Sequence, residues 1–74
     1  MEVPKELEIT EAQRTPGLKN PLTQEQVDWI QEETSSQFVG TYCPQAQRVQ
    51  TLATEALKAG ANLKQILDLA LDDF

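Results

Sequence analysis

Apolar residues recur at helical spacing in three stretches of the chain and thin out over residues 1–21. In the first stretch, Val27, Ile30 and Phe38 fall on one side of a helix, with Thr34 between them. Thr23 stands where an N-cap belongs, and Gln26 lies at capping-box spacing from it. Leu22 and Val27 flank that cap as a hydrophobic staple would, and Gly40 offers a C-terminal stop. The pattern predicts a helix over about 23–39.

The second stretch holds Ala46, Val49, Leu52, Ala53, Ala56 and Leu57, and Gly60 follows Lys58 as a stop signal. Pro44 reads as a first-turn proline, where a missing N–H costs nothing. The second helix is therefore expected over 44–59. In the third stretch Asn62 caps, with Gln65 in the reciprocal position, and Leu63, Ile66, Leu67, Ala70, Leu71 and Phe74 form one broad stripe over 62–73. The short link around Gly60 sets the second and third helices roughly antiparallel. Leu69 falls off the stripe.

Residues 1–21 contain Pro4, Pro16 and Pro21, which interrupt any long helix. Leu7 and Ile9 alternate with charged residues as a short strand would. This segment is expected to be an irregular or extended arm, either a disordered leader or a peptide that pairs with a partner's sheet edge. The fold class that results is all-α: a small three-helix bundle over 22–74, preceded by the arm over 1–21.

Length and charge narrow the function. A chain of 74 residues admits one domain with a marginal core. Its single cysteine, Cys43, cannot form an internal disulfide, and the absence of His leaves no usual zinc ligand set. Tight packing or oligomerisation must then supply stability. The net charge of −6 disfavours direct binding to nucleic acid or to an anionic membrane. No apolar run reaches the ~18 residues of a membrane span, and MEVPKELEIT lacks a leader pattern, so the expected compartment is the cytoplasm, or the host cytoplasm for a viral chain.

The first helix concentrates negative charge around the only tryptophan, in the run EQVDWIQEE. At ~100° per residue, Glu25, Asp28 and Glu32 gather within roughly 60° of one another. Trp29 lies nearly opposite Val27, with Glu33 flanking it further round. This places Trp29 on the acidic face, outside the core stripe. A charged face is ordinarily just solvated. The sharper reading is a binding face, because Trp is enriched at interface hot spots and carboxylates steer a basic partner toward it. Between these lies a third reading, in which Trp29 packs under the arm or against a second copy of the chain.

Catalytic chemistry is not legible. General-base, triad and zinc-enzyme arrangements need a His that the chain lacks. Neither phosphate-cradling glycine motif is present. Cys43 before Pro44 reads as a plain structural thiol, although a helix start can activate one. The ending LDLALDDF resembles transcriptional activation segments and the Phe-terminated acidic tails of single-strand DNA-binding proteins, but it serves equally as the last helix of the bundle. No cofactor or metal is expected. The expected function is a non-enzymatic interaction module: a regulator, adaptor or inhibitor, or a nucleic-acid mimic. It would bind a protein of basic surface through Glu25, Asp28, Trp29, Glu32, Glu33 and Leu69. The alternative is a self-associating subunit, joined through Trp29, Leu69 and Tyr42.

Overall fold

The computed structural model describes residues 3–15, 17–37 and 44–72. It contains three α-helices: α1 Gln24–Gln37, α2 Ala46–Lys58 and α3 Leu63–Asp72. They pack pairwise around one core, giving the all-α three-helix bundle that the periodicity predicts. No strand occurs among the described residues. The expected ends of the first and third helices at 39 and 73, with Gly40, Tyr42, Cys43 and Phe74, lie outside the described residues.

The helix ends follow local chemistry. At the start of α1, the Thr23 N–H donates to Gln26 Oε1 at 2.9 Å, and the Gln26 N–H donates to Thr23 Oγ1 at 3.2 Å. Asn62 and Gln65 exchange the same two bonds at 2.8 and 3.0 Å before α3. Each box satisfies donors that a helix start would otherwise leave open. Between α2 and α3 the chain turns through Gly60, at φ +87°. The Ala61 N–H reaches the Ala56 carbonyl at 2.9 Å, and the Gly60 N–H reaches Leu57 at 3.1 Å. Those two bonds make a Schellman turn, whose left-handed residue favours glycine.

Three details differ from the sequence pattern. α2 begins at Ala46, with Gln45 as N-cap, so Pro44 precedes the helix. Its carbonyl accepts a bond from Gln31 Nε2 at 2.9 Å, which ties the entry of α2 to α1. Ala46 is exposed, and Leu52 and Leu71 are only half-buried. A helix at the rim of a small bundle buries a narrower arc than its apolar stripe.

Over its described residues the arm forms no strand and lies against the bundle. Two 3-10 turns, Lys5–Leu7 and Glu11–Arg14, are joined by extended backbone. Leu7 closes the first turn and enters the core, while Val3 and Ile9 are half-buried against it. Gln13 and Gln26 pair side chain to side chain through their amides, and Gln13 Nε2 also donates to the Pro21 carbonyl at 3.0 Å. Arg14 crosses to the opposite corner, where Nη1 donates to the carbonyls of Ala61 at 2.8 Å and Leu57 at 3.4 Å. A cation there also suits the negative end of the α2 dipole. The radius of gyration, 11.4 Å, matches the ~11 Å of a compact chain this long, as it must if the arm lies against the bundle.

Candidate interaction face on the first helix

α1 is buried over an unusually wide arc for so polar a helix. Val27, Ile30 and Thr34 face the core, as their spacing predicts. Gln26 is also buried, and Trp29 retains 8% of its exposure. The expectation that Trp29 stands outside the core on an open acidic face is therefore corrected. A helical wheel gives the angle between residues but not the number of neighbours. With α2, α3 and the arm all against α1, the covered arc extends past Ile30 to Trp29.

Buried polar groups on that arc are satisfied. Gln26 Nε2 donates to the Leu7 carbonyl at 2.9 Å, which holds the first 3-10 turn against α1. Thr34 Oγ1 donates to the Ile30 carbonyl at 2.6 Å. Among the described residues no buried side-chain nitrogen or oxygen lacks a partner. The polar arc is thus fully compensated.

Glu25, Asp28 and Glu32 remain exposed on the outer side of α1. Trp29 borders them, about 40° from Glu25 and about 60° from Glu32. Together these residues line an open concavity of about 310 Å³, to which the arm contributes Glu6 and Leu7. Leu7 and Trp29 give it apolar walls, and four carboxylates surround them. An adjoining hollow shares Glu6 and Glu25 and adds Glu8 from the arm. Glu6 and Glu8 enter this surface because the arm folds back. Their distance in sequence from Trp29 concealed them.

The remaining sequence-expected residues do not converge with this group. Glu33 is half-buried on the inner side of Trp29 and does not line the concavity. Leu69, at 42% exposed, lies on α3 and is likewise absent from it.

The face carries one sign of charge. Asp28 accepts a bond from Gln24 Nε2 at 2.9 Å, and the charged residues that line the concavity are all carboxylates. An ion pair between Lys64 and Asp68, at 2.8 Å, lies along α3. No group of His, Cys, Asp or Glu among the described residues is arranged to hold a metal ion. No helix there is long and apolar enough to cross a membrane. No family model, curated protein or solved structure matches the chain.

Proposed function

We propose that this chain is a small non-enzymatic interaction protein that binds a protein of basic surface through the outer face of α1. One observation supports the reading above the others: carboxylates of Glu6, Glu25, Asp28 and Glu32 surround the apolar walls made by Leu7 and Trp29. Like charges at i, i+3 and i, i+4 cost a helix about 0.2–0.5 kcal/mol per pair. A cationic partner would reverse that cost on binding, and its approach would be steered by the field. A regulator, adaptor, inhibitor or nucleic-acid mimic would each use this same surface.

The test compares the wild-type chain with a Glu25→Lys, Asp28→Lys, Glu32→Lys variant as immobilised baits at low and high salt. A partner retained by the wild type at low salt, released by high salt and lost by the variant supports the proposal. Identical capture by both baits at both salts removes it.

A second reading rests on Leu69, which stays exposed on α3 together with Leu18 in the arm region. Two copies meeting through these residues would cover them, as the self-association alternative requires. Sedimentation equilibrium decides it: a dimer that Leu69→Ser dissociates favours self-assembly, and a monomer at all concentrations rejects it.

A further inference from the structure

The arm and the helical bundle are joined unequally. Of the buried core residues, Leu7 alone comes from the arm; the rest run from Leu22 to Ala70. Val3 and Ile9 add only half-buried apolar contact, and the remaining attachments are polar: the Gln13–Gln26 amide pair, the bond from Gln26 to the Leu7 carbonyl, and the Arg14 bonds to Leu57 and Ala61. Water can replace every one of these once the segment lifts. The bundle keeps its own core and its own capping boxes without the arm, since Thr23 and Gln26 satisfy each other. Segments with few buried apolar contacts and many exposed backbone bonds open at lower free energy than the core.

The arm lies beside Trp29. Leu7 and Trp29 line the same concavity, with Glu25, Asp28 and Glu32 at its edge. We propose that residues 3–15 act as a displaceable strap, with Leu7 occupying the place beside Trp29 that a partner's apolar side chain takes. That side chain would be flanked by Lys or Arg, to meet the carboxylates on α1. The strap opens as one unit while the bundle stays folded. Opening widens the apolar surface around Trp29 and removes Glu6 from its rim. Partner binding therefore competes with an intramolecular contact, which keeps the surface closed against weak, non-cognate ligands. The strap rests on the proposed interaction function for its purpose, but its opening is measurable on the chain alone.

Native-state hydrogen exchange by NMR on the full wild-type chain tests it. The reporters are the amides of Leu7, Glu8, Gln13 and Thr15, which are hydrogen-bonded within the arm. They should be protected, yet exchange at least a hundredfold faster than those of Ile30, Ile66 and Leu67, with a shared denaturant dependence. Equal protection of arm and core overturns the strap, because the arm would then open only with the whole molecule. No protection in the arm overturns it too. The second arm of the test is Leu7→Ala with acrylamide quenching of Trp29. Quenching should rise severalfold while the core amides keep their protection. Unchanged quenching, or loss of folding, means that Leu7 is not a removable cover. None of these outcomes bears on the charge-reversed baits, so the strap and the binding face fail separately.

Discussion

Gln50 offers the most demanding test of how the bundle is held. It sits at 9% exposure on the core side of α2. Its Oε1 accepts the Leu22 N–H at 2.9 Å, and its Nε2 donates to the Leu22 carbonyl at 3.0 Å. One amide thus completes both backbone groups of the residue that leads into α1. Gln50→Leu keeps the approximate volume and strands both groups. Each unsatisfied buried group costs about 1–3 kcal/mol. The leucine recovers part of that, since burying such a side chain contributes about 1.5–3 kcal/mol. The expected net loss is about 1–3 kcal/mol, against a total stability of about 4–11 kcal/mol at ~0.05–0.15 kcal/mol per residue. Urea titration should show a lower midpoint with an unchanged slope. Gln50→Glu sharpens the test. Ionised, it loses the donor and faces a carbonyl, whereas protonated, it can donate again. Its folded pKa is then raised above the ~4.3 of the unfolded chain. Relative to wild type, its stability should be best below that value and fall as pH rises through and above it. A Gln50→Leu protein as stable as wild type, or a Gln50→Glu penalty that does not change between pH 3.5 and 7, would refute the account.

Four other outcomes follow from the geometry. Trp29 emission in the wild type should be blue-shifted at every concentration, because the indole is covered within one chain; a maximum that turns red on dilution would require a second copy as its cover. Gly60→Ala should lower stability by about 1 kcal/mol in thermal or urea melts, since the residue holds φ +87° although a methyl there would meet nothing within 4 Å. Arg14→Gln should cost about 1–2 kcal/mol by the same melts through loss of its charge-assisted bonds to the α2 terminus, a loss unaffected by deleting Lys64. Glu32→Lys should raise stability by about 0.4–1 kcal/mol, by turning the repulsion with Asp28 into attraction, while weakening partner capture. A variant that is both less stable and binds as well as wild type contradicts both halves of that last statement.

The fold was largely written in short-range pattern, and the candidate surface was not. Three apolar stripes, two capping boxes and a glycine stop are all features within a few residues, where helix geometry alone relates position to direction. Thr10 and Gln13 repeat the spacing of those boxes, and the Thr10 N–H does donate to Gln13 Oε1 at 3.0 Å. That spacing alone announces no long helix, because no apolar run follows it. Gln50 could have been suspected, since it shares a face with Ala53 and Leu57 and a polar residue there needs a partner. Its partner, Leu22, lies 28 positions away. The burial of Trp29 is hidden for the same reason: it shares the core with Leu7 of the arm, and nothing local to α1 announces that. Glu25, Asp28 and Glu32 were legible as a shared face because one helix presents them all. Glu6 was not, because only the folded arm brings it there.

The bond from Arg14 to Ala61 spans 47 positions and closes on the turn that follows α2. Loop closure of that length is entropically unfavourable until there is something at the far end to bind. During synthesis the arm emerges before α2, yet the turn it docks on follows that helix. The Arg14 end of the arm thus settles only after α2 has been made, and through that interval Leu7 and the site beside Trp29 are both uncovered. A nascent chain in that state presents to its surroundings apolar surface that the finished protein packs into its core.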